Sequence, residues 1–171
     1  MTAARHTARV ALELAGEHPG VVVISSWKNL GIVVWQGGAT GPAVETLIRA
    51  MDKLRSPERR FSLVHLIREG LPLPDGGART NFIRAMKDLQ NELGCVAIVV
   101  GGTGFWASAM RNAVIGLRVL APRTFDFKLH GTPGEVVQWL PEAHQRRTGV
   151  ELPSAALASM LAEAGRFEPS H

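Results

Sequence analysis

One stretch limits what this chain can fold into more than any other. Cys95-Val96-Ala97-Ile98-Val99-Val100 carries no charged or amide side chain and lies between Gly94 and Gly101-Gly102. A membrane helix needs about 20 apolar residues, so this run is far too short to be one. Its β-branched content predicts a strand instead. A strand that is apolar on both sides must be covered on both sides, which is the situation of a parallel sheet with helices packed against it.

The flanking sequence supplies those helices. Val21–Trp27 and Ile32–Gln36 read as two strands joined by a tight turn at Lys28–Gly31, an antiparallel hairpin in which Gly31 is expected to take positive φ. Thr40 and Pro42 then form an N-cap and first-turn pair, opening a helix over 42–55 with Val44, Leu47, Ile48, Met51 and Leu54 on one face. Phe61–Ile67 is a third strand. A loop rich in Pro and Gly (70–77) leads to a second helix over 78–93, which Gly94 is expected to cap. The apolar run follows as the fourth strand, then a third helix over 105–119 and an alternating edge strand over 124–129. A fourth helix is opened by Thr132-Pro133-Gly134-Glu135, a capping box. The expected fold class is α/β: a mixed, mostly parallel five-stranded sheet with an opening hairpin and helices packed against it. The expected divisions are an N-terminal arm (1–20), the α/β domain (21–145), and a linker with a short helix (146–171) that covers a sheet edge or a dimer surface.

Composition removes several classes of function. The single cysteine, Cys95, excludes a disulfide framework and a cysteine-rich zinc site. With 19 basic and 15 acidic residues, the net charge of +4 is modest and dispersed. Arg55–Arg60 and Arg146-Arg147 are short and interrupted, so no nucleic-acid stripe is expected. No apolar run reaches membrane length and no signal-peptide pattern is present, so a cytoplasmic protein without membrane insertion is expected. The histidines (6, 18, 65, 130, 144 and 171) show no metal-ligand spacing, and no Gly-x-Ser-x-Gly elbow occurs. His65 is expected to be a satisfied residue of the sheet and Cys95 inert packing. Trp35 is expected in the core and Trp27 half exposed.

The order of elements resembles the STAS fold, the sulfate-transporter and anti-sigma-factor-antagonist domains, and within it the SpoIIAA-like branch. The resemblance covers residues 21–145. It is carried most by the Ala-rich third helix with its arginine, Gly104-Phe105-Trp106-Ala107-Ser108-Ala109-Met110-Arg111-Asn112-Ala113-Val114, and by the final helix containing Trp139-Leu140. In the antagonists an Asp-Ser-x-Gly segment opens the second helix, and phosphorylation of its serine controls partner binding. The corresponding segment here is Asp75-Gly76-Gly77-Ala78-Arg79-Thr80-Asn81. Asp75 matches, Gly76 replaces the serine, and Thr80 is the nearest hydroxyl.

The resemblance implies a bacterial, non-enzymatic regulatory or scaffolding domain acting by protein–protein binding. Asp75, Arg79, Thr80, Phe105, Trp106 and Arg111 are the expected contact residues, with Arg111 alternatively paired to Glu69 or Asp75. No cofactor or metal is called for. A homodimer through 124–129 or 154–164 is a further expectation, since open edges invite pairing. Two other readings stand beside it. One is a small-molecule or lipid carrier, which requires an apolar cavity beside the glycine turn. The other is a nucleotide-dependent enzyme using Gly101–Gly104, a glycine-rich turn between strand and helix, with Asp126 at about the distance of a ribose-binding acid.

Overall fold

The β-branched runs take the middle of the sheet, where both faces are covered. A computed structural model describes residues 11–166. Six strands lie side by side in chain order: β1 (Glu13–His18), β2 (Val22–Trp27), β3 (Leu30–Trp35), β4 (Phe61–Ile67), β5 (Leu93–Val100) and β6 (Asp126–His130). β1, β2 and β3 pair antiparallel, and β3 to β6 pair parallel. The helices are α1 (Gly41–Met51), α2 (Gly76–Asp88), α3 (Gly104–Leu120), α4 (Pro133–Thr148) and α5 (Ser154–Gly165).

The alternating side chains of the central strands feed two cores. Val33, Val96 and Ile98 meet Val44 and Leu47 of α1 and Met110 and Val114 of α3 on one face. Ile32, Val64 and Ala97 meet Leu140 of α4 and Leu157 and Met160 of α5 on the other. The three parallel crossovers step in one direction along the sheet. A common hand therefore puts α1, α2 and α3 on one face. α4 follows the last strand, crosses no further strand in that direction, and lines the opposite face.

The structure corrects several expectations. The sheet has six strands, not five, because residues 13–18, placed in the arm, form an edge strand on β2. Register shifts between Leu14 and Gly16, and a Cβ at Gly16 would lie 3.0 Å from the Ala50 Cβ, so small residues let α1 pack closely there. Residues 1–10 of the expected arm, with His6, lie outside the described residues, as does His171. In the β2–β3 turn the positive φ belongs to Lys28 (53°), not Gly31. Gly31 is inside β3, where a Cβ would come within 2.7 Å of Leu63 and 2.9 Å of Leu54. Gly94 caps no helix. α2 ends at Asp88, and Leu93-Gly94 already belong to β5. α4 runs through the expected linker to Thr148 and stops at Gly149, whose φ is 74°. Leu157, Met160 and Leu161 of α5 are buried within the chain, in the core that α5 shares with α4 and the sheet. Trp27 is buried, because it joins the α4–α5 core, and Trp35 is buried as expected.

Candidate functional site

Parallel strands send the chains that follow them out at one end of the sheet, the carboxyl end, where α/β proteins commonly build their sites. α2 follows β4 and α3 follows β5, so both helix N-termini open there. Four of the six expected contact residues are engaged in building this end. Asp75 is the N-cap of α2, and its Oδ1 accepts from the Ala78 N–H at 2.7 Å. The Thr80 hydroxyl donates to the Gly76 carbonyl at 2.9 Å, one turn back along the helix, and the residue is exposed. Trp106 is half-buried, and its indole N–H donates to the Leu71 carbonyl at 2.7 Å, holding the loop before α2 against α3. Arg111 donates to the carbonyls of Val100 (3.1 Å) and Gly102 (2.8 Å). It therefore fixes the glycine turn, in place of the expected pairing with Glu69 or Asp75. Arg79 and Phe105 point outward, and Phe105 is 91% exposed.

The glycine turn is a tight connection with an acidic neighbour. Gly102 (φ 83°) and Gly104 (φ 88°) take left-handed conformations that other residues rarely adopt. A Cβ on Gly102 would approach the Glu69 Oε1 to 2.7 Å, so that carboxylate lies against the turn. At the next turn, after β6, the Gly131 N–H donates to Glu135 Oε2 at 2.8 Å. Carboxylates beside both turns repel the charge of a pyrophosphate, and Arg111 is already occupied by carbonyls.

The outer surface of α3 has a different character. Phe105, Ile115, Val119 and Leu120 are all exposed, Val119 at 77%. Exposed Ser108, Asn112 and Gly116 lie among them on the same side of the helix. The only charges on α3 are Arg111 and Arg118, and Arg118 stacks its guanidinium 5.6 Å from the Phe127 ring centroid. Neighbouring α2 exposes Arg79, Arg84 and Lys87 against Asp88. The result is an uncharged, largely apolar strip beside basic residues. Sequence reading identified Phe105 but missed Ile115, Val119 and Leu120. Their spacing along α3, away from the Met110–Val114–Leu117 side, was the available signal.

A second polar constellation had no sequence signal at all. His144 of α4 is fully buried between Ser62 of β4 (Nδ1–Oγ, 2.7 Å) and Asn29 (Nε2–Oδ1, 2.9 Å). An amide oxygen can only accept, so Nε2 carries the proton and Nδ1 accepts from the Ser62 hydroxyl. The Ser62 oxygen accepts in turn from the Cys95 N–H, and the Asn29 amide donates to the Arg60 carbonyl. The order Ser-His-Asn is that of a hydrolytic triad, but its members are sealed at the opposite end of the sheet and satisfied by one another. It anchors α4 to the sheet. Burial pushes the His144 pKa down to about 4, with the Lys28 charge adding to the shift, and burial raises the Cys95 thiol to about 11. Cys95 is thus the inert packing residue expected. Asn29, Ser62 and His144 meet only through the fold.

Among the described residues no group of three or more His, Cys, Asp or Glu side chains could hold a metal ion, and no helix is long and apolar enough to cross a membrane. Compared with known proteins, the chain matches no protein-family model and no curated protein.

Proposed function

We propose that this chain is a non-enzymatic binding module that docks a protein partner on the outer face of α3, with the N-terminal turns of α2 beside it. The observation that carries this reading is the exposed strip Phe105–Ile115–Val119–Leu120, which has no charge among its members and no covering element among the described residues. An aromatic side chain 91% exposed at the start of a helix is an anchor of the kind that dominates binding energy when buried in a partner. Arg79 and Lys87 of neighbouring α2 are exposed and Arg118 stands on α3 itself, which suits a partner whose apolar contact surface has an acidic rim. Pairing of two copies through this face would bring like charges together, so a different protein fits better than a second copy.

The resemblance to SpoIIAA-like STAS domains supports the same reading, since that family acts through the end of the sheet where α2 begins. A phosphorylation switch has weaker support. Gly76 replaces the family's serine, and the Thr80 hydroxyl is turned to the helix backbone. The enzyme alternative is disfavoured by Glu69 and Glu135 at the two turns.

The test is photo-crosslinking in the source cells. A benzophenone amino acid is placed at position 105 or 119, with exposed Ala158 on α5 as the control position. The expected result is one and the same protein adduct from 105 and 119, absent from 158. Adducts that are equal at all three positions, or absent from α3, would refute the reading.

A further inference from the structure

The exposed side of α3 has a spacing as well as a composition. Phe105, Ser108, Asn112, Ile115 and Val119 are all exposed and follow one another at alternating steps of three and four residues. Such steps keep one seam along one side of a helix, the seam by which a second helix packs on the first. Four residues at i, i+3, i+4 and i+7 enclose a hole in a helix surface. Two such holes lie in line here and share Asn112. Phe105, Ser108, Ala109 and Asn112 enclose the first. Asn112, Ile115, Gly116 and Val119 enclose the second. Small residues stand at the middle of each, so each has room for a large side chain.

Gly116 has no reason within the chain to be glycine. Its φ is not positive, and a Cβ on it would meet nothing within 4 Å. Glycine inside a helix lowers stability relative to alanine, so the missing side chain serves what lies outside α3.

The seam also selects the backbone that can cover it. The N–H and C=O groups of α3 are paired within the helix away from its ends, and Ser108 and Asn112 are the hydrogen-bonding side chains on the seam. An extended segment laid there would bury its own N–H and C=O groups without partners. A helix arrives with those groups already paired. The Asn112 amide, once covered, has to be met by a polar side chain, which fixes the register of the two helices. Arg118 stands beside the second hole, its guanidinium 5.6 Å from the Phe127 ring centroid, and attracts an acidic side chain there.

We infer that the element docking on α3 is an amphipathic α-helix of a different protein, which inserts two large apolar side chains seven residues apart into the two holes, sets a polar side chain against Asn112 and turns an acidic one towards Arg118. This rests on the docking reading above and adds the partner's secondary structure and register. A second copy of α3 fits poorly. The seam pairs seven residues apart are Phe105 with Asn112, Ser108 with Ile115, and Asn112 with Val119, and none is a pair of large apolar residues.

The test extends the crosslinking to positions 105, 112 and 119 and identifies the adducted residues of the captured protein by mass spectrometry. A docked helix shares the rise of α3, about 1.5 Å per residue, so the adducts from 105 and 119 should lie about fourteen residues apart in the partner, with that from 112 between them. An extended segment, at about 3.3 Å per residue, would bring them to about six residues apart. That closer spacing, or adducts scattered over distant segments, would overturn the helix and leave the docking face standing. No adduct from any α3 position would overturn the docking reading and this inference with it. Adducts to a second copy of this chain would overturn the choice of partner. Gly116→Leu fills the second hole from a site with free space around it. It is expected to keep or raise the unfolding midpoint and to weaken binding of the captured protein at least tenfold. Full affinity in that folded variant would overturn the packing of the holes.

Discussion

His144 shows how much of this fold depends on one buried polar residue. It pairs with Ser62 and Asn29 with no exposure to solvent, so its removal leaves a hydroxyl and an amide unpaired and opens a void. His144→Ala is therefore expected to lower unfolding free energy by about 3 kcal/mol, measured by urea denaturation. The same residue sets an acid limit together with His65. Both are held neutral, with pKa values of about 4 in the folded chain, whereas an unfolded histidine titrates near 6.5. Between those values the unfolded chain binds more protons than the folded one, so acidification favours unfolding. The stabilisation from neutral burial is complete above pH 6.5 and is lost progressively towards pH 4, at about 1.4 kcal/mol per pH unit for each histidine. Urea midpoints measured from pH 7 to pH 4 should fall accordingly. A folded His65→Phe chain should show a distinctly shallower fall, and an unchanged one would contradict this origin. His65 was readable as a sheet residue, because it stands inside the apolar run Phe61–Ile67 that forms β4. The His144 array was not, because its members come from three distant segments and none stands in a motif.

α3 shows what element-scale patterning reveals. Ala107, Met110, Val114 and Leu117 are buried at helical spacing, and the sequence displays that face plainly. The opposite face is apolar too, which pattern alone cannot separate from core, and only the structure shows it exposed among the described residues. Phe105→Asp should change stability by less than about 0.5 kcal/mol, since the side chain is exposed. Trp106→Ala should cost about 2–3 kcal/mol, because the ring packs on the core and its N–H holds the Leu71 carbonyl. Thermal unfolding of the two variants side by side checks both expectations. Capping chemistry was the most legible signal at this scale. Thr40 and Thr132 cap α1 and α4 as their sequence contexts predict, through Ala43 N–H at 3.4 Å and Glu135 N–H at 3.2 Å. Glycine was the least legible. Gly94 resembles a helix stop, but it is a strand residue whose Cβ would meet Thr148 at 2.8 Å, a packing reason that no local pattern carries.

Across the whole molecule, a sheet ordered by chain position is covered by three helices on one face and two on the other. The apolar run of β5 predicted that both faces would be covered, and its alternation into two cores is the reason. β1 was hidden, because Ala15 and Gly16 interrupt its alternation, and the place of α5 was left open between edge and interface. α5 buries Leu157, Met160 and Leu161, roughly 2 kcal/mol each. A chain ending at Val150 should therefore unfold at markedly lower urea and bind more of a hydrophobic dye than the full chain does. The α3 strip is the opposite case, an apolar surface that none of the described residues covers. The decisive measurement is the affinity of the protein crosslinked from position 105 for the full chain and for its Phe105→Asp and Val119→Asp variants, with unfolding midpoints recorded in parallel. The expected result is a loss of at least tenfold in affinity for each variant at unchanged midpoint. Equal affinity for all three chains would contradict the assignment of α3 as the docking face.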